Sequence, residues 1–115
     1  MKEIKAYLKK HKMDEVVLAL SKIPGLTGVS VVSVKGFGRG RSQTAGEELS
    51  VYDDRLFDVP GVKLEVICRD EIVEQVIETI VRHAHTGLRG DGKIYVAPIE
   101  TAVRISTGER GLEAV

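Results

Sequence analysis

Six aliphatic residues in the second half of the chain constrain its fold most. Ile72, Val73, Val76, Ile77, Ile80 and Val81 recur at spacings of three and four. That spacing puts them on one stripe of an α-helix, with Glu71, Glu74, Gln75, Glu78 and Arg82 on the other face. A helix with one apolar stripe is stable only when a second apolar layer covers it. Asp70 stands just before the stripe as a candidate N-cap, since a carboxylate can accept from the unpaired N–H groups of a first turn.

The rest of the chain supplies that second layer as strands. Residues 2–9 alternate polar and apolar through Ile4 and Ala6, which predicts a strand with one solvated face. Residues 28–35 are rich in β-branched side chains and predict another strand. Residues 62–67 alternate with period two and are expected to pair with the 28–35 strand as a long hairpin. Further strands are predicted at 93–97 and, shorter, over Ala102-Val103-Arg104-Ile105. A first helix is expected after Asp14, a second candidate N-cap, and should stop before Pro24-Gly25. The order is strand, helix, strand, strand, helix, strand. That is an α+β chain of the ferredoxin-like βαββαβ type, one domain over residues 1–115. Both helices fall on one face of such a sheet. The other, partly apolar face has no helix left to cover it, which predicts an oligomer.

Composition narrows the function. Lys+Arg and Asp+Glu both number 17, so the formal net charge is zero and no basic excess points to nucleic acid or to a membrane surface. With no Trp, and only Phe37, Phe57, Tyr7, Tyr52 and Tyr95 aromatic, base-stacking platforms are scarce. Hydrophobic residues make up 43%, enough for a packed core. The single Cys68 forms no internal disulfide, fits a reducing cytosol, and reads as a small buried hydrophobe. The chain shows no signal-peptide core and no run long enough to span a membrane, so a cytoplasmic location is expected.

Thr86-Gly87-Leu88-Arg89-Gly90-Asp91-Gly92-Lys93 is the stretch with the most chemistry. Its glycines permit tight turns, and successive N–H groups in such turns form an anion-binding concavity. Arg89 and Lys93 can add positive charge. The reading is a phosphate cradle, against the alternative of an ordinary helix-to-strand connection. It lacks Walker A spacing. His83 and His85 lie near the end of the second helix, where favourable interaction with the helix dipole is the simplest role. With Cys68 they form the basis of a metal-binding alternative. The run Lys9-Lys10-His11-Lys12 reads as a solvated turn. From Gly36 to Asp58 periodicity is lost, and Arg41, Glu47, Glu48, Tyr52, Asp53 and Asp54 gather there. A loop this long, about 38–59, is expected to be a mobile recognition loop.

Three segments together resemble the PII family of nitrogen-regulatory signalling proteins. They are Val34-Lys35-Gly36-Phe37-Gly38-Arg39, Thr86-Gly87-x-x-Gly90-Asp91-Gly92-Lys93-Ile94, and Val103-Arg104-Ile105-x-Thr107-Gly108-Glu109. Lys12-x-Asp14-x-Val16 agrees as well. The resemblance covers nearly the whole chain. It implies a cytoplasmic homotrimer of ferredoxin-like subunits, with ATP or ADP in the clefts between neighbours and Mg²⁺ accompanying ATP. It implies a protein partner, an enzyme or a membrane transporter, contacted by the long loop (the T-loop) through the acids and Tyr52. Residues 86–93 would be the B-loop, with Gly90, Asp91, Gly92 and Lys93 at the phosphates. Gly36, Phe37, Gly38 and Arg39 would form the base of the T-loop along the nucleotide. Residues 104–115 would be the C-loop, with Arg104 reaching a neighbour's nucleotide, and Ser30 and Ile67 would line the adenine pocket.

The chain also departs from the family pattern. Gly40 stands where typical members have Gln, Gly61 where they have Lys, and Ser106 where they have a second arginine. The usual loop tip around a modified tyrosine is missing, and the loop is about two residues longer, by comparison with that pattern. The Gly38-Arg39-Gly40-Arg41 opening resembles an outlying PII-like branch. Sensing of 2-oxoglutarate is therefore not carried over, and Tyr52 is expected to contact a partner rather than to be uridylylated. A small nucleotide-hydrolysing enzyme, with Asp91 or Glu109 as its base, is the alternative to a regulator.

Overall fold

The computed structural model describes residues 1–36 and 59–115. Six main elements follow in order: β1 (Lys2–Lys9), α1 (Met13–Leu20), β2 (Ser30–Gly36), β3 (Val59–Cys68), α2 (Val73–Ala84) and β4 (Gly92–Pro98). The strands form one antiparallel sheet in the order β2-β3-β1-β4. This is the ferredoxin-like α+β arrangement expected from the pattern. The hairpin forms as well, running from Ser30↔Glu65 to Gly36↔Val59. The expected recognition loop, with Phe37, Gly38, Arg39, Arg41, Glu47, Glu48, Tyr52, Asp53 and Asp54, lies outside the described residues.

Alternation along the strands sorts side chains to two faces. Ile4, Ala6 and Leu8 of β1 and Val62, Leu64 and Val66 of β3 are all buried. Val16 and Leu20 of α1 and Val76 and Ile80 of α2 close over them. Each fully buried aliphatic side chain of this kind contributes about 1.5–3 kcal/mol. The two helices pack against each other, and on their outer side His83 Nδ1 lies 3.2 Å from Glu15 Oε1.

The opposite face carries Glu3, Lys5 and Tyr7 of β1, Lys63, Glu65 and Ile67 of β3, Ser30 and Val32 of β2, and Lys93 and Tyr95 of β4. Lys9, Val34 and Ala97 fall on it too, so it mixes charged and apolar side chains, as the alternation predicts. Lys5 pairs with Glu3 at 3.1 Å and Lys63 with Glu65 at 2.9 Å. Tyr7 and Tyr95 meet edge to face at 6.1 Å.

Several local expectations are corrected. Neither Asp14 nor Asp70 caps a helix. A 3₁₀ turn, Lys10–Lys12, leads into α1, so Asp14 falls inside the first helical turn, where its charge still suits the helix dipole. Asp70 opens another 3₁₀ turn, Asp70–Ile72, and its carboxylate instead takes the Met1 ammonium at 2.9 Å. That contact lowers the Asp70 pKa. Val81 belongs to the apolar stripe yet is 54% exposed, while Ala84 is buried in the last turn. The strand expected at 102–105 does not form. The segment instead closes a tight turn, with Arg104 N–H donating to Glu109 O at 2.9 Å and Gly108 N–H to Arg104 O at 2.7 Å. Its backbone groups are satisfied inside that turn, and only the Val103↔Arg110 bridge resembles a ladder.

Candidate functional site: the glycine loop between α2 and β4

The second helix ends at Ala84, and His85 turns extended, carrying the chain off the helix axis. Gly87, Gly90 and Gly92 then take φ values of +80°, +80° and +106°, a region that costs any residue with a Cβ. Gly92 has a second reason to be glycine. It sits opposite Leu8, and a Cβ there would lie 1.6 Å from the Tyr7 carbonyl oxygen.

Asp91 holds the loop together. Its carboxylate accepts from the Thr86 hydroxyl, and from the Thr86 N–H at 2.9 Å. Lys9 Nζ stands 3.3 Å from Asp91 Oδ1, and His85 Nδ1 stands 3.2 Å from Oδ2. The Thr86 hydroxyl oxygen in turn accepts from Lys9 Nζ and from the Leu88 N–H, both at 3.1 Å. The Thr86 hydroxyl and N–H, followed by Lys9, hold the Asp91 carboxyl well below the usual carboxylate range. It is an ionised acceptor already committed to the loop, a poor choice for a general base.

Lys93 follows on β4 opposite Tyr7, exposed on the open face. Among the described residues, neither Lys93 nor Arg89 makes an ion pair. A cleft of about 300 Å³ opens beside the loop between α2 and the β1–β4 edge, with Val81, Ala84 and Ile94 on its wall and Asp91, Gly92 and Lys93 at its rim.

The remaining expected residues lie elsewhere. Gly36 ends β2 at the same end of the sheet as the glycine loop. Ser30 and Ile67 share the open face on neighbouring strands, at rows level with Lys5 and Glu3 of β1. Arg104 follows the far end of β4. Its Nη1 pairs with Glu109 Oε1 at 3.1 Å and its Nη2 donates to Glu113 O at 2.9 Å. Arg69 donates to Leu112 O at 3.1 Å, tying the same tail to the end of β3.

Two residues that mattered were read too blandly in the sequence. Lys9, assigned to a solvated turn, reaches into the loop. His85, assigned to the helix dipole, contacts Asp91. Strand register carries the missing signal: Tyr7 pairs with Lys93 and Leu8 with Gly92, so Lys9 comes abreast of Asp91. The metal alternative finds no support in this geometry. His83 faces Glu15, His85 faces Asp91 and Cys68 is in the core. Among the described residues no three candidate ligands converge.

The family model for Nitrogen regulatory protein P-II matches residues 1–109. The chain belongs to this family. It is 47% identical over 116 residues to the nitrogen regulatory protein P-II of Azospirillum brasilense, with all of both chains covered. It is 45% identical, again over the full length of both, to that of Haemophilus influenzae. Its fold also matches the crystal structure of Arabidopsis thaliana PII bound to citrate. The TM-score is 0.79 at 37% identity, covering 99% of this chain and 91% of that one. Nitrogen regulation and signal transduction are the setting of this family.

Proposed function

We propose that this P-II protein binds ATP or ADP in clefts between the subunits of a cytoplasmic homotrimer. Through its long loop it then regulates a partner enzyme or membrane transporter. The glycine loop carries this reading. Three left-handed glycines and the Asp91 network preorganise a turn whose N–H groups, with Lys93 and Arg89, suit a chain of phosphates. Gly90, Gly92 and Lys93 are assigned to phosphate contact, and Asp91 to shaping the loop they belong to. Mg²⁺ would accompany ATP through the phosphate oxygens.

The placement of the other residues supports a site built from two chains. Along β1, the Lys93 row at Tyr7 and the Ile67 row at Glu3 are four residues apart, roughly 14 Å at the rise of a strand. Arg104 lies beyond that far end. A nucleotide seated on one chain's glycine loop would meet Ser30, Ile67 or Arg104 most directly on a neighbouring copy. The open face, with its tyrosines and alternating charges, is the surface available for such packing. Gly36 and the residues after it, Phe37, Gly38 and Arg39, are assigned to the base of the loop that carries the signal.

A regulator is favoured over a hydrolase by the state of the two candidate bases. Asp91 is fully engaged, and Glu109 is held by Arg104 and by the Thr107 hydroxyl at 3.1 Å each. Calorimetric titration of ATP and ADP, with sedimentation to count subunits, tests the proposal. Saturable binding at three sites per trimer is expected. Absence of binding by both nucleotides would overturn it.

A further inference from the structure

An acidic side chain at the centre of a phosphate-binding loop needs an explanation, because its charge repels the ligand it helps to hold. We propose that Lys9 is a positioning residue for this site, acting through Asp91 and Thr86 to fix the loop and cancel the aspartate's charge. The inference rests on the nucleotide reading above.

Lys9 is the last residue of β1, and its side chain is only 17% exposed. The register brings it onto the face that carries Lys93, directly beside Asp91. From there its ammonium reaches Thr86 Oγ1 at 3.1 Å and Asp91 Oδ1 at 3.3 Å. These two contacts, the first across 77 residues of sequence, bind the loop to an inner strand of the sheet. They also explain how Asp91 can order the Thr86 N–H and hydroxyl without presenting a bare negative charge to phosphate. His85 lies on the other carboxylate oxygen but is 71% exposed, so Lys9 is the better shielded of the two neighbours. A lysine whose donors already point at Thr86 and Asp91 acts on a ligand through those groups, not by touching it.

The test compares ATP and ADP binding by wild type, Lys9→Met, Lys9→Arg, Asp91→Asn and the Lys9→Met/Asp91→Asn double variant. Lys9→Met should weaken both nucleotides by about tenfold, the low end for losing a charge-assisted hydrogen bond. Lys9→Arg, which keeps the charge, should recover most of that loss. In the Asp91→Asn background Lys9→Met should cost less than about twofold more, because the two residues act as one unit. Ligand-free Lys9→Met should also shift the amide resonances of Thr86, Leu88 and Gly92. If Lys9→Met does not fold, Lys9→Gln takes its place in every comparison. Binding by the lysine variant within twofold of wild type overturns the inference, as do multiplying losses in the double variant or no recovery with arginine. In each of those outcomes wild-type binding stays intact and the nucleotide reading stands. Only a wild-type protein that binds neither ATP nor ADP removes both.

Discussion

Thr86-Gly87 and Thr107-Gly108 each open a turn in which a threonine hydroxyl meets a carboxylate and a base stands nearby, yet the two turns use these parts differently. In the C-terminal turn every partner is local. Glu109 takes the Thr107 hydroxyl and the Arg104 guanidinium, and Arg104 also donates to Glu113 O. Acid and base cancel within a few residues. In the glycine loop the cation beside Asp91 comes from β1, and the loop's own Arg89 and Lys93 are left without an ion pair among the described residues. A turn neutralised from within offers a ligand a base that is already paired. A turn neutralised from a neighbouring strand keeps its own bases available. Gly87 and Gly108 both face open space, but the glycine loop also contains Gly92, which is packed against the backbone of β1.

The largest effect should come from breaking that packing difference. Gly92→Ala drives a methyl into the Tyr7 carbonyl at a φ of +106°, so we expect a loss of about 4 kcal/mol or more, the exceptional end for one substitution. Gly108→Ala meets no atom within 4 Å and should cost about 1–2 kcal/mol, from its positive φ alone. Urea denaturation of the two variants measures both. Equal losses would mean that the β1–β4 contact does not hold the glycine loop.

Lys93→Ala should come next. A charge-assisted hydrogen bond to phosphate is worth about 1.5–3 kcal/mol, so ATP and ADP affinity should fall on the order of tenfold to a hundredfold. Calorimetry would show it, and an unchanged affinity would put the phosphates elsewhere.

The third expectation concerns 2-oxoglutarate. Gly61, at the position where the family resemblance implies a lysine, lies in β3 directly across from Lys9. The Lys9 ammonium is already engaged by Thr86 and Asp91, so it does not stand in for the missing cation. Losing such a partner costs a carboxylate about 1.5–3 kcal/mol. Titration into MgATP-saturated protein should show no saturable binding below about millimolar concentration. A micromolar dissociation constant would defeat this expectation.

A smaller change is expected at the locally neutralised turn. Glu109→Gln releases one partner of Arg104, and half-exposed ion pairs are worth about 0.2–1 kcal/mol. If Arg104 meets a neighbour's phosphates, ATP affinity should rise by at most about fivefold on that scale. A fall in affinity would show that Glu109 orients Arg104 for its role.

The smallest effect is a pH dependence that stays flat where cells live. The folded-state pKa of Asp91 is lowered, so its contribution to stability is fully present above the ordinary value of about 4 and is lost as pH falls from there toward the folded value. The stability gap between wild type and Asp91→Asn should be constant between about pH 6 and 8 and should narrow below about pH 4. A gap that changed near neutrality would show that the Asp91 carboxylate is not the group that sets it.

The features legible in the sequence are those that repeat along the chain or that bear on the backbone of one residue. The stripe from Val73 to Ile80, the alternation along β1 and β3 and the β-branched run before Gly36 all became the elements they predict. The glycines of residues 86–93 are read correctly as a turn because a left-handed φ is a demand on one residue. Periodicity and turn chemistry are local, so the chain records them directly.

Tertiary structure decided the rest. Asp14 and Asp70 look like caps in isolation, but 3₁₀ turns moved the helix starts, and the Met1 ammonium took Asp70. Ala102–Ile105 has strand-forming residues, yet its hydrogen bonds close within a turn, where no sheet neighbour is needed. Lys9 reads as one more lysine in a basic run, and His85 as a helix-end histidine. Their meeting at Asp91 depends on how β1 registers with β4 and on the direction in which the chain leaves α2. A contact between residues so distant in sequence leaves no period to read. It exists only once both strands lie in the same sheet and the burial of Ile4, Ala6 and Leu8 has fixed which face Lys9 shares.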